Sequence, residues 1–188
     1  MIRGFTPPGS KFFRDVLQFF QLHPQDIGPN SISNICNFQV FCEAYLQEEP
    51  TVELFRKFYY LNRQTEFTDM PSLELGGVSI QKRKEATFPY AKPPSHPKDW
   101  NQTWFYCQDT SPEGENPLPG YCEHRLSNTH QLPQRISKKE RAKYAPIFSK
   151  IRAFMANGLT DVDLVRCWVN WRILSLSLRS GLMCEYTG

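Results

Sequence analysis

The densest run of cations in the sequence is Arg135, Lys138, Lys139, Arg141, Lys143, Lys150 and Arg152, interrupted by a single acid, Glu140. A row of Lys and Arg suits a polyanion. Each cation that meets a phosphate releases a condensed counterion, so such a row binds RNA or DNA without reading bases. At 3.6 residues per turn Lys139, Lys143 and Lys150 share one face, opposite an apolar stripe. A solvated helix face has the same pattern, and that alternative stays open. A second cluster, Lys82-Arg83-Lys84, follows a strand candidate and reads as a solubilising strand end.

Other chemistries find little support. Cys107, Cys122, His124 and His130 are the one grouping that can be drawn as a metal site, but their spacing matches no standard zinc pattern. The six cysteines, at 36, 42, 107, 122, 167 and 184, include no C-x-x-C pair and read as free, buried thiols. Asp161 and Asp163 fall in the first turn of a helix, where acids cap donors and favour the dipole. Asp109-Thr110-Ser111 ends in Ser where an aspartic-protease triplet has Gly. There is no G-x-S-x-G elbow and no phosphate-cradling glycine loop. Trp100 to Tyr106 is aromatic enough to stack bases, although rings at strand spacing more often serve a core. We therefore expect no enzyme, cofactor, metal or small-molecule ligand.

Composition narrows the class. The chain has 188 residues, 40% hydrophobic, 22% charged and 14% aromatic, which excludes a disordered tail or a coiled coil and suits one domain with ordered arms. Net charge is +3, too small to announce a nucleic-acid protein by itself. No apolar run approaches the roughly 20 residues of a membrane span, and Met1 to Pro8 lacks a secretory apolar region. The expected address is intracellular, cytoplasm or nucleus, with no membrane partner and reduced thiols. On that expectation the sequon Asn101-Gln102-Thr103 stays unmodified.

The elements that must position these residues follow from periodicity. Ser10 caps an amphipathic helix carrying Phe12, Phe13, Val16, Leu17, Phe19 and Phe20, stopped before His23-Pro24. A second helix, from Ser31 or Ser33 to Gln47, is apolar over most of its circumference and so mostly buried. Thr51 caps a third, with Leu54, Phe55, Phe58, Tyr59 and Leu61 apolar and Glu53, Arg56 and Lys57 solvated. Near residue 72 the period changes to two, and Leu73 to Ile80 predicts a tight hairpin through Gly76-Gly77, Leu75 facing Val78 and Leu73 facing Ile80. Thr103 to Gln108 is a further strand candidate, joined by an extended connector through Phe88-Pro89-Tyr90. Residues 109 to 134 are a Pro-rich exposed loop. Ser137-Lys138-Lys139-Glu140 fits a capping box. The helix it opens is kinked or restarted at Pro146 and ends at Gly158, and Thr160-Asp161 opens a last helix carrying Val162, Val165, Trp168, Val169 and Trp171.

The expected fold is α+β and mainly helical: amino-terminal helices packed on a small antiparallel hairpin or sheet, then carboxy-terminal helices after the Pro-rich loop. The corresponding boundaries are 1–108, 109–134 and 135–188. The abrupt end at Gly188 reads as truncation from a longer protein.

Phe41 to Leu46, Pro50, Leu54 to Phe58, Gly76 to Arg83 and Trp100 to Tyr106 together resemble the gypsy-type transposase domain of plant transposable elements, over roughly residues 5 to 110. The resemblance implies a retrotransposon, Gag-related protein. It supplies no catalytic residues to carry over, and the motifs of an integrase, an element protease and a reverse transcriptase are missing here. The leading expectation is a non-catalytic domain that contacts nucleic acid through the basic helix. The alternative is a protein-interaction or self-association module without nucleic-acid affinity.

Overall fold

A computed structural model describes residues 9–63, 78–90 and 137–173. Helix α1 (Lys11–Phe20) begins where expected: the Ser10 hydroxyl accepts from the Phe13 amide at 3.1 Å, and Gln21 closes the helix in the left-handed conformation at φ 53°. Helix α2 (Pro29–Val40) starts ahead of the predicted serines. Gly28 is its N-cap and Pro29 its first residue, a position where proline loses no bond. A π-helical turn, Phe41–Leu46, continues it to the left-handed Gln47.

Thr51 caps α3 (Val52–Phe58), its hydroxyl accepting from the Leu54 amide at 3.3 Å. The helix stops at Phe58, earlier than its apolar pattern suggests. Tyr59–Arg63 is strand β1, paired antiparallel with β2, Val78–Lys82, with Leu61 opposite Ile80 and Arg63 opposite Val78. The change of period therefore falls at Tyr59, not near residue 72. Tyr59, Leu61, Val78 and Ile80 form the buried face of the ribbon, and the other face is polar: the Tyr60 hydroxyl donates to Gln81 Oε1 at 2.8 Å.

The first strand and the turn of the tight hairpin lie outside the described residues, and within these residues β2 pairs with β1. Val78 and Ile80 take their ladder partners from β1, and the far edge of β2 belongs to α2. There the Ile80 amide donates to the Ser31 hydroxyl at 2.9 Å, and the Ile80 carbonyl accepts from Asn34 at 2.8 Å. With both backbone groups of Ile80 bonded to α2, a neighbouring strand has nothing to pair with there. Leu73 to Gly77 lie outside the described residues, as do the strand candidate Thr103 to Gln108 and the loop 109–134.

The carboxy-terminal helices are α4 (Lys138–Lys143), α5 (Ala145–Ala156) and α6 (Asp161–Trp168), the last continued by a π-helical turn, Val169–Ile173. Pro146 restarts the helix, and Gly158 ends α5 at φ 94°. Thr160 and Asp163 form a capping box at the start of α6, with Asp163 accepting from the Thr160 amide at 2.9 Å. That is the capping role read from the sequence. The bonds from Thr160 also draw the Asp163 carboxyl below its ordinary pKa.

All three described segments share one core. Phe38, fully buried, lies at its centre, its ring 5.2 to 6.4 Å from those of Phe12, Phe55, Phe58, Tyr59 and Phe88. Phe88, assigned to a connector by the sequence pattern, is thus a core residue. Tyr144, Ile151 and Leu164 join the same cluster from the carboxy-terminal side. On α6 the buried positions are Leu164 and Trp168, while Val162 and Val165, and Val169 and Trp171 on the following turn, are exposed. Among the described cysteines, Cys36 and Cys42 are buried and Cys167 is half-buried.

Candidate nucleic-acid interface

The basic surface is built on one buried cation that local sequence did not mark. The helical phase of Lys57 predicts a solvated side chain, yet that side chain is 1% exposed and its Nζ lies 2.8 Å from Glu140 Oε1. Burial of an ammonium requires a counter-charge, and α4 supplies it. Glu140 also completes the capping box, accepting from the Ser137 amide at 2.9 Å while its own amide donates to the Ser137 hydroxyl at 3.2 Å. Lys57 first, and then the Ser137 bonds, hold the Glu140 carboxyl down to about 2. One carboxylate therefore starts α4 and fastens it to α3.

The remaining cations of α4 and α5 stay in solvent. Lys138 and Lys139 are exposed and make no ion pair among the described residues. Lys143 Nζ is 3.2 Å from both Glu53 oxygens. Bonds from the Tyr144 hydroxyl and from Lys143 lower the Glu53 pKa, and that of Lys143 rises in turn. Tyr144 sits between two ammonium groups, with Lys57 and Lys143 at 5.3 and 5.1 Å from its ring centroid. Arg141 lies 3.6 Å from Glu85, and Lys150 3.9 Å from Glu48. Arg152 donates to the Ser149 hydroxyl at 3.2 Å. Arg135 lies outside the described residues. Because the helix restarts at Pro146, Lys139, Lys143 and Lys150 do not form a single stripe on one rod.

The fold also joins the two basic clusters of the sequence. The turn after β2 meets α4 at the Arg141–Glu85 pair, beside a hollow of about 70 Å³ lined by Lys57, Glu85, Thr87, Arg141, Phe148 and Arg152, among others. Lys82 and Arg83 are not simply solubilising. Lys82 Nζ donates to the Arg83 and Ala86 carbonyls at 3.1 and 2.7 Å, and Arg83 Nε to the Arg56 carbonyl at 2.9 Å. Burial lowers the Arg83 pKa and Arg56 and Arg141 lower it further, while Glu85 opposes them. Lys84 is exposed.

A separate groove of about 610 Å³ runs between α1 and the π-helical turn, lined by Lys11, Phe12, Asp15, Gln39, Glu43, Glu48, Glu49 and neighbours. It sets four carboxylates against one ammonium, so it repels phosphate. No group of three or more His, Cys, Asp or Glu among the described residues is placed to hold a metal, and Cys107, Cys122, His124 and His130 lie outside them. No helix among the described residues is long and apolar enough to cross a membrane.

Fold and surface together define a small, mainly helical α+β domain whose carboxy-terminal helices present cations. Residues 1–63 match the family described as "Putative gypsy type transposon". The match covers the amino-terminal third of the chain, which carries α1 to β1, and agrees with the resemblance carried by the motifs there. No curated protein and no solved structure gave a significant match to the chain.

Proposed function

We propose that this chain is a non-catalytic domain of a transposable-element protein that binds RNA or DNA through phosphate contacts made by α4 and α5. The observation behind this reading is the convergence of two basic clusters, Lys82 to Lys84 and Lys138 to Arg152, on one edge of the fold around Arg141. Phosphate contacts position a protein without specifying sequence, so binding to single-stranded RNA, single-stranded DNA and duplex DNA differs mainly through charge density. Lys138, Lys139 and Arg152 pair with no carboxylate among the described residues, and they carry the largest share of the counterion release. Replacing all three by Gln lowers the log–log salt slope by roughly 2 to 3. A chain that does not bind at low salt, or a variant whose slope is unchanged, refutes the reading.

One observation favours a protein-interaction or self-association module instead. Val162 and Val165 on α6, with Val169 and Trp171 on the π-helical turn that continues it, are 37 to 50% exposed, a large apolar display for so short a stretch. Concentration-dependent sedimentation abolished by Val165→Lys, with no retention on nucleic acid, would establish that module in place of the first reading.

A further inference from the structure

We propose that the chain carries its own competitor for phosphate: Glu48, Glu53 and Glu85 occupy Lys150, Lys143 and Arg141 until a polyanion displaces them. This inference rests on the nucleic-acid reading above and concerns the regulation of the same surface.

Among the described residues, the four ion pairs that join α4 and α5 to the rest of the chain differ in kind. Lys57–Glu140 is a 2.8 Å contact whose ammonium is 1% exposed. The other three are longer, at 3.2 to 3.9 Å, and both partners in each are about half exposed or more. The polarity is reversed between the two groups. In the buried pair the cation comes from α3 and the acid from α4. In the exposed pairs α4 and α5 supply the cation, while the acid comes from before α3, from α3 and from the turn after β2.

The division separates attachment from exchange. Water does not reach the Lys57 ammonium, and breaking that pair would strand a buried charge, so α4 stays docked. An exposed pair is worth little beyond its geometry and is screened by salt, so a phosphate oxygen can replace its carboxylate without unfolding anything. A carboxylate and a phosphate offer Lys and Arg the same kind of charge-assisted acceptor. The acids thus lower the resting affinity of the basic face and favour ligands dense enough in phosphate to displace several of them together.

The test compares two charge-matched double variants of the full chain, each raising net charge by two. Glu48→Gln with Glu53→Gln removes two of the competing acids. Glu49→Gln with Asp161→Asn removes two acids for which no pair with α4 or α5 is found among the described residues. The probes are a 20-mer duplex DNA and a single-stranded RNA of equal length, titrated at fixed low salt by fluorescence anisotropy. We expect the first variant to bind about tenfold more tightly than wild type, and the second less than threefold. Thermal melts should show Glu48→Gln/Glu53→Gln still folded, because Lys57–Glu140 remains. Equal tightening by both variants would overturn self-competition and leave the nucleic-acid reading standing, since general charge would then explain the gain. No binding by wild type or either variant would overturn both. Binding by Glu48→Gln/Glu53→Gln alone would support self-competition in its strongest form.

Discussion

Removal of the Phe38 ring is the most demanding test of the core, because its cost can be worked out in advance. Phe38 is fully buried, and five aromatic rings surround it at 5.2 to 6.4 Å. Transfer of a fully buried Phe side chain back to water costs about 2 to 3 kcal/mol. Phe38→Ala also leaves a space of roughly 100 Å³, and at about 24 cal/mol per Å³ an uncollapsed cavity adds about 2 kcal/mol. Collapse is resisted here because the lining rings also pack on one another: Phe55 on Tyr59 at 4.8 Å and Phe58 on Phe88 at 5.2 Å. The expected loss is therefore about 4 to 5 kcal/mol. With a urea slope near 2 kcal/mol per M, the midpoint falls by about 2 M. Phe38→Leu, which keeps most of the volume, should lose roughly 1 to 2 kcal/mol and stays measurable if the Ala variant does not fold. Phe19→Ala is the reference. That ring is 40% exposed, lies beneath the Arg56 guanidinium at 5.1 Å, and should cost about 1 kcal/mol or less. Equal midpoint shifts for Phe38→Ala and Phe19→Ala would refute this account of the core.

Ser31→Ala should destabilise by about 1 to 3 kcal/mol, because it leaves the buried Ile80 amide without its acceptor; hydrogen exchange at Ile80, faster by the matching factor, is the check. Acid should weaken the attachment of α4 in a set window. The Glu140 pKa is depressed to about 2 in the folded chain, against about 4.3 for a free Glu. Its contribution is therefore complete above about pH 5 and disappears as pH falls toward 2. Urea midpoints from pH 7 to 2 should fall less steeply for Glu140→Gln, and parallel curves would refute the Lys57 contact. Val165→Asn should leave the melting temperature within a degree or two, since that side chain is 46% exposed. A large drop would place it in a packed interface.

Much of the helical framework was legible because caps are local. Ser10, Thr51, Ser137 and Thr160 each announce a helix by an oxygen that must satisfy an amide two or three residues later, and all four do so or complete a capping box. The end of α3 was not legible, because Tyr59 and Leu61 continue a helical apolar pattern while also alternating as a strand requires. What decides between them is Val78–Lys82, a partner separated by many residues. The basic residues of α4 could be listed from sequence, but not their counter-ions. Glu53 and Lys143 lie 90 positions apart, and Lys57 and Glu140 lie 83 apart, and no periodicity reaches so far. For the same reason Lys57 looked solvated: its helical phase is correct for the surface of α3, and a second helix covers that surface.

The bonds from Ser31 and Asn34 to Ile80 have a consequence for how the molecule meets others of its kind. A two-stranded ribbon normally leaves an open edge on each strand, and such edges recruit further strands into aggregates. Here a helix imitates the missing third strand, giving one acceptor and one donor to the Ile80 position, while Ile27 bridges Val78 in parallel beside them. Polymerisation by strand addition is blocked along this side of β2. Ser31→Ala with Asn34→Leu would reopen it, and concentrated solutions of that variant should gain thioflavin-binding material that the parent chain does not form.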